Sequence, residues 1–289
     1  MKVHTRRKGR KSDVSSHARA CLVSAEMLER ELDLAREVQE SLFPAEIPAL
    51  PGIRVAAVNQ PARIVSGDLY DIIRVDAHRL VVICADVSGK GFPAALLAAQ
   101  VQSYFRAMVQ AVSVVRTALE SASVSVDVFK SLGSLPLQVV RQLNTTACRN
   151  MRLPGRYATL FFAEIDGRNG AVHYVNAGHN PPLLLAPGSA VELLSAGGPP
   201  VGLFEEATYE VGTVTVPADG TLLIYTDGVI EARDRHDEEF GLPRLIDLCT
   251  AARGEVAQLL PRILGAVDTW SAGLESADDI TLVGVGRGM

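Results

Sequence analysis

The sequence predicts an α+β fold in which mainly antiparallel sheets carry helices on their outer faces. Short runs rich in Val and Ile fall into two groups joined by hairpin-length connections, as antiparallel strands require. Helical stretches lie between and after these groups instead of alternating with single strands. With 289 residues, 48% of them hydrophobic and 21% charged, the chain can bury a real core as one large domain or two small ones. The same composition excludes collagen-like, mucin-like and wholly disordered chains.

Residues 1–12 hold six of the 28 Lys and Arg and no acid, which leaves 22 basic against 33 acidic groups, a net of −11, on the rest of the chain. Residues 1–19 therefore read as a basic, disordered tail on an acidic body. No apolar run approaches the ~18–20 residues that span a bilayer, so no membrane span is expected. The basic N-terminus has no apolar segment directly after it, which argues against a secretory signal, and a cytoplasmic protein is expected. Cys21, Cys84, Cys148 and Cys249 are widely spaced, with neither a C-x-x-C pair nor a His at zinc-ligand spacing, and read as reduced, mostly buried thiols.

From Ala20 to Phe43, Leu28, Leu32, Ala35 and Leu42 recur at spacings of four, three and seven between charges, the pattern of a helix with a narrow apolar seam. Pro44, Pro48 and Pro51 stop it. Gln39 falls where a further apolar residue is due. A coiled coil with a partner helix and a single helix lying on its own domain both fit. Strands are expected at Ile53–Val58, Ile64–Val75 and Arg79–Val87, and a helix at Phe92–Val109. Residues 111–135 are Ser/Val-rich and ambiguous, and a helix follows at Pro136–Met151. The second strand group is Tyr157–Ile165, Ala171–Asn176, Pro182–Leu185, Val191–Leu194, Tyr209–Val216 and Thr221–Tyr225. Helices at Leu242–Ala252 and Glu255–Trp270 and a strand at Ile280–Gly284 complete the chain.

Several acids end apolar strands beside Gly or Ser: Asp68 in VSGDLYD, Asp86 in VVICADVSGKG, Asp227 in LLIYTDGVIEA, and Asp278–Asp279 in SADDITLVGV. Taken singly, each reads as a turn residue. Together they sit where folding gathers carboxylates from distant sequence at one sheet edge. Gathered carboxylates repel one another and ionise together only beside a cation. An oxygen-only ligand set suits Mg²⁺ or Mn²⁺ and argues against zinc or copper. Two such ions sharing a carboxylate can activate a water and hold a phosphoryl group for in-line attack. The neighbouring glycines allow close backbone approach, and the Val87 carbonyl is a further candidate oxygen.

The blocks SGDLYD, ADVSGKGFPAALL, YATLFFAEID, YVNAGHNPPLLL, LLIYTDGVIEARD and DDITL, in this order, resemble the metal-dependent serine/threonine protein phosphatases. They are most similar to the bacterial branch of sporulation and general-stress phosphatases that act on sigma-factor regulators. The resemblance runs from about Glu37 to Val285. It implies a four-layer α-β-β-α sandwich, with residues 44–289 as the phosphatase domain and residues 20–43 as a regulatory or linker helix. It also implies two Mn²⁺ or Mg²⁺ ions between the sheets. By that resemblance Asp86 bridges both ions with Val87 supplying its carbonyl, and Asp68, Asp227 and Asp278 take the other acidic positions, some through water. Asp279 matches a position less firmly tied to the ions. Ser66 stands where the family more often has Gly, and Lys90 where many members have His, and neither change removes an oxygen ligand. The substrate implied is a phosphorylated anti-sigma-factor antagonist; separately, the narrow apolar seam of the helix at 20–43 suits a partner helix from an activator or a second copy of the chain.

Lys90 lacks P-loop spacing, with Phe92 where Ser or Thr is required; its ammonium either faces the cleft as a point charge for phosphate or points to solvent, the second being favoured because the family it resembles tolerates other residues there. His179 in NAGHNPP fits a turn-stabilising hydrogen bond better than a general acid. Arg63, five residues before Asp68, fits either a phosphate-binding fork or a surface charge. Tyr70, Tyr104 and Trp270 read as core. Two other classes compete with the phosphatase: a catalytically weak, partner-binding module of the same fold, and a metal-dependent phosphodiesterase or nuclease. The first should have lost acids that are all present here. The acidic body opposes the second, because it repels a polyphosphate backbone, and no nucleic-acid partner is expected.

Overall fold

In the computed structural model the described residues are 27, 30–121, 134–150, 155–251, 256–274 and 276–288. The basic tail, the start of the helix expected at 20–43 and part of the ambiguous stretch at 111–135 lie outside them. The elements in order are α1 (30–40), β1 (Ile53–Gln60), β2 (Asp68–Arg74), β3 (Arg79–Val87), α2 (Phe92–Ser121), α3 (Leu135–Asn150), β4 (Ala158–Asp166), β5 (Ala171–Ala177) and β6 (Leu183–Leu185). There follow β7 (Glu192–Leu193), β8 (Gly197–Gly198), β9 (Gly212–Thr215), β10 (Thr221–Tyr225), a 3₁₀ turn (Asp227–Val229), α4 (Gly241–Ala251), α5 (Val256–Ser271) and β11 (Ile280–Arg287).

The strands form two sheets. One runs β1-β11-β10-β6-β7, and the other β2-β3-β4-β5-β8, with β9 also pairing β5. All pairings are antiparallel except the two-residue β5–β8 contact. Alternation along each strand gives each sheet two apolar faces, which makes three apolar layers. Between the sheets, Leu80, Val82, Cys84, Phe161 and Ile165 meet Leu222, Ile224, Val283 and Val285. Val81, Ile83 and Ala85 turn the other way, onto Leu97, Val101 and Phe105 of α2 and Val139 and Leu143 of α3. On the far side Leu223, Tyr225 and Leu282 pack under Leu245 of α4 and Leu259 and Ile263 of α5. The result is the expected four-layer sandwich with helices outside.

Two differences from the sequence reading have local causes. The run expected to be a strand from Ile64 becomes one only at Asp68, because residues 62–67 form a loop whose backbone is held by Asp279. Helix α2 runs on through the Ser/Val-rich stretch to Ser121, where the hydroxyl of Ser113 donates to the Val109 carbonyl at 2.6 Å and so satisfies itself on the helix. Among the thiols, Cys84 and Cys249 are buried and Cys148 is half-buried, all free. Within α1 the half-buried positions are Leu32, Ala35 and Gln39, with Leu42 just beyond, while Leu34 and Val38 are 57% and 65% exposed.

Candidate metal centre

Strand alternation decides which acids enter the cleft between the sheets. In β3, Leu80, Val82 and Cys84 face the other sheet, so Asp86 continues that series. In β2, Tyr70 and Ile72 face the same way, which puts Asp68 in the cleft directly opposite Asp86 in the register. From the facing sheet, Thr226 follows Leu222 and Ile224 at the end of β10, and Thr281 precedes Val283 and Val285 in β11. Both hydroxyls donate to Asp68 Oδ2 at 2.7 Å. Asn59 Nδ2 donates to the Thr281 hydroxyl at 2.8 Å, and the Asp68 N–H donates to Ser66 Oγ at 3.0 Å. Through its Oδ2, Asp68 thus staples the two sheets together by way of both hydroxyls. Burial, together with the charge of Asp86, pushes its carboxyl well above the usual range, and the two hydroxyl bonds oppose this only in part.

The remaining acids sit at the rim. Because β10 and β11 are hydrogen-bonded neighbours, the turn opened by Asp227 and the Asp278–Asp279 pair come together at one end of the cleft. Gly228 makes this approach possible: a Cβ there would lie 2.0 Å from the Asp279 carbonyl oxygen. Burial, then the charges of Asp227, Asp278, Asp279 and Glu231, push Asp86 up to about 7. Burial, then Glu231 and Asp278, push Asp227 up to about 6, with the Gly228 N–H and Lys90 pulling the other way. Carboxylates from both sheets therefore face one another across the rim and repel. Val87 buries its side chain against α2, and its carbonyl oxygen lies close to Gly67, where a Cβ would stand 3.3 Å away.

Among the described residues no three His, Cys, Asp or Glu side chains are already drawn into a shell around one point. Two engagements account for part of this. Asp279 accepts the Ala62 N–H at 2.7 Å on one oxygen and the Gly67 N–H at 2.6 Å on the other, so it clamps the loop that carries Arg63. Asp278 Oδ2 lies 2.8 Å from Lys90 Nζ. Lys90 was expected to point to solvent. It turns back instead, because the acidic rim attracts its ammonium. The donor chemistry itself, carboxylates with a backbone carbonyl and no sulfur or nitrogen, fits a hard divalent ion.

Arg63 is exposed on the clamped loop. His179 is buried, its N–H donating to Asn176 Oδ1 at 2.8 Å and its Nδ1 lying 3.0 Å from Thr159 Oγ1. Burial lowers its pKa to about 4, so it is neutral near pH 7 and serves the turn. Sequence reasoning missed Thr226, Thr281, Asn59 and Glu231. Thr226 and Thr281 adjoin predicted acids at strand ends on the inter-sheet parity, a signal that was available. Asn59 and Glu231 carried none.

A model of the family described as Stage II sporulation protein E (SpoIIE) matches residues 76–288. The chain belongs to the SpoIIE family. It is 30% identical over 267 residues to Protein IcfG of Synechocystis, covering 89% of this chain and 41% of IcfG. It is 29% identical over 205 residues to the phosphoserine phosphatase RsbP of Bacillus subtilis, covering 70% of this chain and 45% of RsbP. The chain thus spans less than half the length of either relative. Among solved structures, the SiaA-PP2C domain of Pseudomonas aeruginosa superposes with a TM-score of 0.74 at 17% identity, covering 92% of this chain and 99% of that domain. The SpoIIE assignment bears out the resemblance read from the motifs, and the superposition bears out the fold it implied.

Proposed function

We propose that this SpoIIE-family chain is a metal-dependent protein serine/threonine phosphatase. Its substrate is phosphoserine or phosphothreonine on a partner protein, and an anti-sigma-factor antagonist is the substrate class that fits the family. The observation that carries the reading is the meeting of Asp86, Asp227 and Asp278, from strand ends of two different sheets, closely enough to repel one another. Asp68, Asp86, Asp227, Asp278 and the Val87 carbonyl would hold two Mn²⁺ or Mg²⁺ ions, with Asp86 shared, the ligand set implied by the motifs. Bound ions supply an activated water and neutralise charge on the phosphoryl group.

The chain's own residues do the rest. Asp68, locked by Thr226 and Thr281, fixes the spacing of the sheets beneath Asp86. Asp279 serves by holding the 62–67 loop, which presents the Arg63 guanidinium as a fork for a phosphoryl group. Described residues contain no helix long and apolar enough to cross a membrane, and the setting proposed is the cytoplasm. Helix α1 is the regulatory element, joined to the body through Gln39 and open to a partner helix along Leu34 and Val38. Phosphate release from a phosphoserine protein, with Mn²⁺ present and with it chelated, tests the proposal: release only with Mn²⁺ supports it, and equal release in chelator defeats it.

A further inference from the structure

We infer that Lys90 is a tethered cation that holds Asp278 in the place of a divalent ion and yields that carboxylate when the ion binds. Occupancy of this end of the centre is then set by competition between ammonium and metal. The inference rests on the metal-centre reading above and adds how that centre is regulated from within.

Lys90 Nζ lies 2.8 Å from Asp278 Oδ2 and donates to the Ala277 carbonyl at 2.7 Å. Asp278 Oδ1 accepts the Asp279 N–H at 3.0 Å. Both oxygens of Asp278 are therefore engaged, one of them by a full positive charge. A divalent ion claiming Oδ2 arrives beside that ammonium, and the two cations repel. The pair is built to be broken: the side chains of Lys90 and Asp278 are 49% and 34% exposed, so water and salt weaken their attraction. Lys90 also stands between Gly89 at φ +98° and Gly91 at φ +72°, in the link from β3 to α2. A lysine suits the part, because its compact charge and three rotatable donors can let go of one acceptor and keep another.

Mn²⁺ binding to the full chain, followed by electron paramagnetic resonance and by calorimetry for stoichiometry, reads the competition without recourse to activity. The proteins are the wild type, Lys90→Gln, Asp278→Asn and the double variant. Lys90→Gln should tighten the weaker class of Mn²⁺ by about tenfold with the number of ions unchanged. The gain should vanish in the Asp278→Asn background, where no carboxylate is left to contest. Unchanged or weaker binding in Lys90→Gln overturns the inference. An equal gain in both backgrounds also overturns it, since that is a diffuse field effect and not a shared ligand. Absence of bound Mn²⁺ from the wild type and Lys90→Gln alike is a separate failure, which removes the metal centre itself and the competition with it.

Discussion

Asp68 and Asp71 stand three residues apart in β2, 2% and 0% exposed, on opposite faces of the sheet. Asp71 faces the helices and meets Arg106 of α2, whose Nε donates to Oδ2 at 2.5 Å and whose Nη2 donates to Oδ1 at 3.1 Å. Asp68 faces the other sheet and receives two hydroxyls. The charge is balanced by a resident cation where the carboxylate only supports the fold. On the cleft side its partners are neutral hydroxyls, at the place where, on our reading, an ion is to come. A site built this way carries electrostatic strain that a structural pair does not.

The sharpest break of this contrast is at Asp86. Asp86→Asn should lower Mn²⁺-supported phosphatase activity on the order of 10³-fold, since on the proposed reading one carboxylate would serve both ions. Its thermal midpoint in chelator should stay level or rise, because one of the repelling charges is gone. An active Asp86→Asn protein would sink the two-ion reading.

On the other face the order of effects reverses. Arg106→Met leaves Asp71 buried without its cation and should cost about 2–3 kcal/mol in urea unfolding, at the low side for a buried pair because Arg106 is itself half-exposed. Mn²⁺ should not restore that loss. Thr281→Val, which removes one hydroxyl from Asp68, should cost about 1–2 kcal/mol. If Mn²⁺ rescues Arg106→Met fully, the two faces are not electrically separate and the comparison fails.

pH gives a third handle. Asp86 at about 7 and Asp227 at about 6 lie above the ordinary carboxylate value of roughly 3.9. Between about pH 4 and 7 the folded chain therefore binds more protons than the unfolded one, and stability falls as pH rises. In chelator the loss should be roughly 1–2 kcal/mol across that window, reduced from the full shift because both groups are partly solvated. Saturating Mn²⁺ should abolish or invert the slope. A slope unchanged by Mn²⁺ would mean that these carboxylates do not bind it.

The two faces also explain what was legible in the sequence. Apolar periodicity placed most strands and the helices at 135–150, 241–251 and 256–271 within about two residues, because burial enforces those patterns directly, while the pairing of strands into two facing sheets came from the family resemblance. Asp68 and Asp71 share one motif, and only the parity of β2 separates cleft from helix face. The clamp from Asp279 to residues 62 and 67, the turn of Lys90 toward Asp278 and the Thr226–Thr281 staple span up to 217 residues of sequence. Each depends on which loops the two sheets bring together, and no local spacing encodes that. Gln39 was the clearest misreading, taken as a fault in an apolar seam.

That residue carries the smallest predicted effect. Gln39 Nε2 donates to the Ser66 carbonyl at 2.6 Å and its Oε1 accepts the Ser66 N–H at 2.8 Å, a two-point lock on the residue whose hydroxyl accepts the Asp68 N–H. Leu42, just beyond the helix, adds its carbonyl to Gln102 and Arg106. Helix α1 is thereby fastened near both faces of β2 while Leu34 and Val38 stay in water. Gln39→Leu leaves the N–H and carbonyl of buried Ser66 without this partner and should cost about 1 kcal/mol, at the low side because Gln39 is itself half-exposed and water can take its place, changing hydrolysis of a small aryl phosphate no more than a fewfold. Leu34→Asp with Val38→Asp should leave that hydrolysis alone and lower self-association in light scattering, since a charged pair on an apolar stripe blocks a partner helix. A loss in Gln39→Leu as deep as that in Asp86→Asn would make α1 part of the catalytic body. No change in either association or activity from both variants would mean that the helix merely packs on its own domain.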